Sequence, residues 1–221
     1  MSDLQAVLFD MDGTLVHSEG TWLEAEMAVA ESLGGVWTPE DQARHVGGPL
    51  LRVAHGIITS TGRDDLELEA VGRMLNDEVE RRLRTGPVHW MPGAKQLLDE
   101  LLGAGIPCAL VSASWRRLVN AVLAAVGDAF ATTVAGDEVE HVKPAPDAYL
   151  LAAQRLGVEP ARCVVLEDSP TGVRAGEAAG CVVVAIPSVA PVDEAPTRTL
   201  VSSLEEVDLA RLQAMVGVRA A

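Results

Sequence analysis

The sequence lacks any apolar run that approaches the ~20 residues of a membrane-spanning helix. The longest such run, residues 181–186, has only the length of a strand. Strand-like residues begin within four positions of the N-terminus, which leaves no room for a cleavable secretion signal. We therefore expect a cytoplasmic protein without a membrane partner.

Positive charge and cysteine are also scarce. Lys and Arg total 17 against 32 Asp and Glu, and the net charge of −15 would repel nucleic-acid phosphates, so nucleic acid is not an expected partner. The three cysteines, Cys108, Cys163 and Cys181, are odd in number and far apart, and they lie in or beside apolar stretches. This pattern favours buried reduced thiols over disulfides or a metal cluster.

Short β-rich apolar runs recur along the chain, each followed by a helical pattern. They cover residues 4–9, 107–111, 132–135, 163–166, 182–186 and, more weakly, 199–201. This alternation predicts an α/β fold, with a Rossmann-like parallel sheet flanked by helices. Hydrophobic residues make up 48% of the chain and charged residues 22%, as in ordinary globular proteins, which argues against disorder.

The alternation stops between the first two predicted strands. Residues 18–87 show no convincing strand, but apolar residues recur there at helical spacing. They are Trp22, Ala25, Val29 and Leu33, and then Leu68, Val71, Leu75 and Val79. We predict an inserted all-α cap domain over residues 18–87 and a catalytic core formed by residues 1–17 and 88–221. Hinges are expected near residues 16–18 and 87–92.

Two carboxylates follow the first predicted strand directly. Asp10 and Asp12 should point into the crevice where open α/β sheets bind ligands, and Gly13 lets the backbone turn closely around a bound group. A solvated turn with Asp capping is the alternative if this segment is read alone.

Three other strand ends carry groups that match such a site. Ser112 and the amides after it suit an anion, although simple helix capping by Ser114 explains the segment equally well. Lys143 is one of only two lysines in a chain with 15 arginines, and an exposed loop lysine is the alternative. Glu167 and Asp168 follow the fourth strand, where they could instead complement a helix macrodipole.

Taken together, these segments would place four carboxylates and the Lys143 ammonium at one rim of the sheet. Such crowding is tolerable only if a cation is bound or protons are taken up. An all-oxygen ligand set favours Mg²⁺, which retains waters and a substrate phosphate. The pocket therefore suits the phosphoryl group of a small phosphorylated metabolite.

Four segments carry a resemblance to a known family. They are FDMDGTL at residues 9–15, VSAS at 111–114, KPAPD at 143–147 and LEDSPTG at 166–172. In their order and spacing the sequence resembles the haloacid dehalogenase superfamily, in the subgroup that contains β-phosphoglucomutase and sugar phosphatases. The similarity covers nearly the whole chain and includes a helical cap after the first segment.

The resemblance implies a Mg²⁺-dependent phosphatase that works in two steps. Asp10 would attack phosphorus and form an aspartyl-phosphate, while Asp12 would protonate the leaving oxygen and then activate water. The implied metal ligands are Asp10, the main-chain carbonyl of Asp12 and Asp168, with Glu167 as an alternative or outer ligand. The implied phosphate-binding groups are Ser112, Lys143 and the amides near Met11, Gly13 and Ala113.

Departures from the family pattern favour a hydrolase over a mutase. Trp22 stands where the mutase has a cap-hinge histidine, and we expect it to line the substrate cleft. Val46 and Leu50 stand where the mutase has a lysine and a phosphate-binding arginine, although Arg52 lies nearby. Hydrolysis of sugar or polyol phosphates by a monomer is the expectation, and a phosphomutase is the alternative.

A non-catalytic protein is the alternative from another class. A phosphorelay receiver also gathers Asp residues, a Ser or Thr and a Lys at the ends of parallel strands. A receiver lacks both the helical insertion and the partner acid Asp12, and a silent phosphate-binding relative would have lost an acid or the lysine. The sequence therefore favours an enzyme, but it does not identify the physiological substrate.

Overall fold

The computed structural model describes residues 4–45, 50–127, 129–188 and 190–219. One all-parallel sheet has the strand order β3-β2-β1-β4-β5-β6. The strands are β1 Ala6–Phe9, β2 Cys108–Val111, β3 Thr132–Val134, β4 Cys163–Glu167, β5 Val182–Ala185 and β6 Arg198–Leu200. The predicted α/β fold is confirmed, and each predicted run coincides with a strand to within two residues at either end.

The described residues form nine α-helices, of which the last five cover the two faces of the sheet. The nine are α1 Glu19–Ser32, α2 Pro39–His45, α3 Leu50–Thr61, α4 Leu68–Thr85, α5 Ala94–Gly103, α6 Arg116–Val126, α7 Asp147–Leu156, α8 Pro170–Ala178 and α9 Leu209–Arg219. Side chains of β1 alternate between the faces. Val7 and Phe9 belong to the apolar cluster that contains residues of α5, α6 and α9, whereas Leu8 packs with residues of α7 and α8. Burial on both sides explains why the strands are continuous apolar runs.

The strand order reverses beside β1, which pairs with β2 on one side and with β4 on the other. The chain leaves β1 at Asp10 and leaves β4 at Asp168, so these residues lie at the same edge of adjacent strands. In open α/β sheets this reversal opens a crevice that binds ligands.

The described residues of 18–87 form α1 to α4 and no strand. Val29, Trp37, Ile57 and Leu75 are buried in an apolar cluster of their own. Val79 and Leu83, on the last part of α4, belong instead to the main core. The segment thus has an apolar core of its own, and the end of α4 packs into the main core. The bounds of residues 18–87 as a cap domain stay a prediction.

The two chain segments that lead into and out of these helices run side by side. The amide of His17 donates to the carbonyl of His89 at 2.8 Å, and the amide of Met91 donates to the carbonyl of Leu15 at 2.9 Å. Val16 forms an antiparallel bridge with Trp90 between them. The predicted hinge segments are therefore hydrogen-bonded to each other.

All three cysteines are buried and none of them forms a disulfide, as predicted. Burial raises the pKa of Cys108 and of Cys163 to about 12, so both thiols stay protonated near neutral pH. Among the helices described, none has the length and apolar character to span a membrane.

Candidate active site

The loop after β1 turns sharply around the end of the sheet. The amides of Leu15 and Val16 both donate to the carbonyl of Met11 at 3.0 Å. Gly13 has a φ of +83°, and a Cβ there would lie 2.3 Å from Oδ2 of Asp168. Glycine therefore serves two needs at this position, the left-handed backbone and the close approach of the Asp168 carboxylate.

Three buried carboxylates meet where β1 and β4 end. One oxygen each of Asp10, Glu167 and Asp168 lies within 4.8 Å of the others. Burial and the neighbouring Glu167 charge raise the pKa of Asp10 well above its ordinary value. The same two causes raise the pKa of Asp168 to about 7. Three acids this close cannot all ionise without a compensating positive charge.

Lys143 supplies part of that charge. Its Nζ donates to Oδ1 of Asp10 and to Oε1 of Glu167, both at 2.6 Å, and to the carbonyl of Val111 at 3.0 Å. Burial alone would lower the pKa of this ammonium, but the carboxylates of Asp10 and Glu167 outweigh it and raise the pKa. The alternative of an exposed loop lysine is wrong, because the side chain is only 5% exposed.

Glu167 is held by donors on both carboxylate oxygens. Besides Lys143, the buried hydroxyl of Tyr149 donates to Oε1 at 2.8 Å. The amides of Asp168 and Ser169 donate to Oε2, each at 3.1 Å. A Cβ on Gly172, in the first turn of α8, would lie 1.6 Å from Oε1, so glycine is required there. Sequence reasoning missed Tyr149, because a lone tyrosine on a helix carries no motif.

Asp12 lies at the junction of the sheet and the helical segment. Its Oδ1 accepts from the hydroxyl of Ser18 at 2.5 Å and from the indole of Trp22 at 3.3 Å. Its Oδ2 accepts from the hydroxyl of Ser114 at 2.9 Å. Capping of α6 by Ser114 is therefore wrong, and Trp115 is the N-cap residue instead. The structure places Trp22 against Asp12, a contact that the sequence did not reveal.

The loop after β2 presents the remaining predicted groups. Ser112 is 1% exposed, and its Oγ accepts from the amide of Ser114 at 2.9 Å. Ala113 between them is exposed, whereas Met11 in the loop after β1 is buried. Their roles in phosphate binding stay predictions. Of the two positions compared with the mutase, Leu50 begins α3 and Val46 lies outside the described residues.

The residues at this site fit Mg²⁺. Asp10, Glu167 and Asp168 carry up to three negative charges beside the single ammonium of Lys143, so a divalent cation would balance the charge. The donors are oxygen atoms, which Mg²⁺ prefers. Since both oxygens of Glu167 already accept hydrogen bonds, Asp10 and Asp168 are the better candidates for direct ligands.

Comparison with known proteins shows the family of the chain. The family profile of haloacid dehalogenase-like hydrolases matches residues 4–180. Hexitol phosphatase A from Escherichia coli is 37% identical over 91% of this chain and 88% of its own length. Protein CbbY from Rhodobacter capsulatus is 35% identical over 84% of this chain and 86% of its own length.

Solved structures show the same fold. A variant of CbbY from Rhodobacter sphaeroides, in complex with xylulose-(1,5)bisphosphate, has a TM-score of 0.83 at 29% identity, over 95% of this chain and 99% of that one. β-Phosphoglucomutase from Clostridium difficile has a TM-score of 0.81 over 98% of this chain and 99% of that one, and its 20% identity supports the fold alone. The matched profile and the identities above 30% show that the chain belongs to the haloacid dehalogenase-like hydrolase family and is an enzyme of the phosphatase type.

Proposed function

We propose that the protein hydrolyses phosphate monoesters of small sugars or polyols through an aspartyl-phosphate on Asp10. The observation that supports this most is the buried cluster of Asp10, Asp168 and Lys143, with Asp12 held beside it by three hydrogen-bond donors. Of the two carboxylate oxygens of Asp10, only Oδ1 receives a hydrogen bond from a side chain of the described residues, that of Lys143. Its Oδ2 is therefore the oxygen proposed to attack phosphorus.

In the first step the bond from Asp10 to phosphorus forms as the bond to the leaving oxygen breaks, and Asp12 gives that oxygen a proton. In the second step Asp12, now a carboxylate, takes a proton from water as the water oxygen attacks phosphorus. The Asp10 carboxylate then leaves, and orthophosphate is released. Bound Mg²⁺, held by Asp10, Asp168 and the carbonyl of Asp12, would supply positive charge to the phosphoryl oxygens.

The other polar groups have supporting roles in this proposal. Lys143 offsets the negative charge on Asp10. Glu167 is not a direct metal ligand in this proposal, and its role is to orient Lys143. Ser112 and the amide of Ala113 would bind the phosphoryl oxygens. Trp22 would line the mouth of the cleft in addition to its contact with Asp12.

The substrate class is supported by the relatives, one of which is named as a hexitol phosphatase and another solved with a sugar bisphosphate. Hydrolysis is favoured over mutase chemistry because Leu50 and Trp22 replace the groups that the mutase pattern requires. A receiver-like role would leave Asp10 phosphorylated without turnover.

The test is phosphate release across a panel of sugar, polyol, nucleotide and short-chain acid phosphates, with Mg²⁺ and with a chelator. We expect Mg²⁺-dependent release from related sugar or polyol phosphates, and none from the Asp10→Asn variant. β-Glucose 1-phosphate with a bisphosphate activator should not isomerise. Isomerisation without release would instead establish the mutase, and a stable phosphoprotein without turnover would establish the signalling role.

A further inference from the structure

Ser188, in the loop after β5, contacts two carboxylates at once. Its hydroxyl donates a hydrogen bond to Oδ2 of Asp168, and its Oγ lies 2.9 Å from Oε1 of Glu19. Glu19 is the first residue of α1. The hydroxyl therefore connects the helical segment of residues 18–87 with the buried carboxylate cluster, and it lies outside the four sequence segments that mark the site.

The hydroxyl of Ser188 is a hydrogen-bond donor to the Asp168 carboxylate. Within the described parts of the chain, this is the one side-chain hydrogen bond that Asp168 receives. Glu167, in contrast, is held by Lys143 and Tyr149. Removal of the Ser188 hydroxyl would thus leave Asp168 without a side-chain donor, while Glu167 would keep its own.

The space around this pair is restricted from one side. A Cβ on Gly13 would lie 2.3 Å from Oδ2 of Asp168 and 3.0 Å from Oγ of Ser188. The backbone of the loop after β1 therefore passes directly against both side chains. The backbone at Gly13 on one side and the hydrogen bond from Ser188 together restrict the orientation of the Asp168 carboxylate.

We propose that Ser188 is a positioning residue for the metal site, whose hydroxyl holds Asp168 in the orientation that binds Mg²⁺. This inference rests on the function proposed above. Partners that hydrogen-bond to a metal ligand orient it, and their loss typically weakens metal binding by about 10- to 100-fold. Because a hydroxyl carries one hydrogen, Glu19 competes with Asp168 for it.

Calorimetric titration of the substrate-free protein with Mg²⁺ tests the proposal. Ser188→Ala should weaken Mg²⁺ binding by about tenfold. Ser188→Thr keeps the hydroxyl and should bind Mg²⁺ with the affinity of the wild type. Ser202→Ala is the matched control, because the Ser202 hydroxyl also donates to a carboxylate, that of Glu206. Glu19→Gln should bind Mg²⁺ at least as tightly as the wild type, since it removes the competing charge. Unchanged Mg²⁺ affinity in Ser188→Ala would overturn the proposal.

Kinetics separate this inference from the proposed function. In Ser188→Ala the Mg²⁺ concentration for half-maximal phosphate release should rise by the same factor as the dissociation constant, and kcat at saturating Mg²⁺ should change less. A wild-type protein that binds Mg²⁺ but releases no phosphate contradicts the proposed function, while calorimetry still decides the role of Ser188. A wild-type protein that binds no Mg²⁺ overturns both.

Discussion

The indole N–H of Trp22 lies 3.3 Å from the Asp12 carboxylate, so the residue expected at the position of the mutase histidine contacts the proposed acid and base. Trp22→Phe keeps an aromatic ring but removes this donor. A hydrogen bond of this kind contributes about 1 kcal/mol. We expect kcat to fall by about two- to fivefold, with a smaller effect on KM, because the group acts on Asp12.

Steady-state phosphate release measures that change, and Ser18→Ala provides a comparison because Ser18 makes the shorter contact with the same oxygen, at 2.5 Å. Ser18→Ala should reduce kcat more than Trp22→Phe. If Trp22→Phe raises KM alone, the indole acts on the substrate rather than on Asp12.

Gly172 is required by the Glu167 carboxylate. Gly172→Ala places a methyl group 1.6 Å from Oε1 unless Glu167 moves. Since Lys143 and Tyr149 both bind that oxygen, we expect activity to fall by at least an order of magnitude and the free energy of unfolding to fall by about 1–3 kcal/mol. Activity and urea denaturation report the two effects.

The control for this variant is Gly217→Ala in α9, where nothing lies within 4 Å of the added Cβ. It should be neutral or stabilising by up to about 1 kcal/mol, since alanine favours a helix over glycine. Equal behaviour of the two variants would show that Glu167 can move without cost.

The strands, and the close approach of Asp10 to Asp168, could be predicted from the sequence for a physical reason. A buried parallel strand needs a continuous apolar run, and the residues that follow such runs must meet at one edge of the sheet, as Asp10 and Asp168 do. Tyr149 and Ser188 could not be found in this way. Each reaches the carboxylate cluster only through tertiary packing, from a helix face in one case and from an irregular loop in the other.

Tyr149 is the only tyrosine in the sequence, so its ionisation can be followed by absorbance. Burial and the Glu167 charge raise its pKa well above the ordinary value. On titration to alkaline pH, phenolate absorbance should therefore appear only as the protein unfolds, and circular dichroism should change at the same pH. Phenolate formation in the folded protein, near the pH of free tyrosine, would contradict the buried contact with Glu167.

Removal of the Tyr149 hydroxyl tests the same contact from the other side. Tyr149→Phe keeps the ring beneath Lys143 but takes one donor from Oε1 of Glu167. Loss of a donor to a buried charged group costs about 1–3 kcal/mol, and urea denaturation should show a decrease of this size. A variant as stable as the wild type would mean that the phenol contributes no net stability there.

Glu26 is a buried acid outside the active site, and it predicts how stability depends on pH. It is 4% exposed and accepts a hydrogen bond from the Trp37 indole at 2.8 Å. Burial raises its pKa from 4.5 to about 7, although the indole lowers it. Between these values the folded protein holds a proton that the unfolded chain has released. The contribution of protonated Glu26 to the free energy of unfolding is therefore complete below pH 4.5, and it is lost as the pH rises through about 7.

Glu26→Gln has the same shape, keeps an acceptor for Trp37 and does not ionise. Its free energy of unfolding, measured in urea, should therefore exceed that of the wild type by about 1–3 kcal/mol at pH 8. Near pH 5 the difference should be much smaller, because Glu26 is then protonated in the folded protein. Glu31→Gln, exposed at the end of the same helix, controls for the loss of one charge. Parallel pH profiles for the wild type and Glu26→Gln would show that this carboxyl is not the source of the pH dependence.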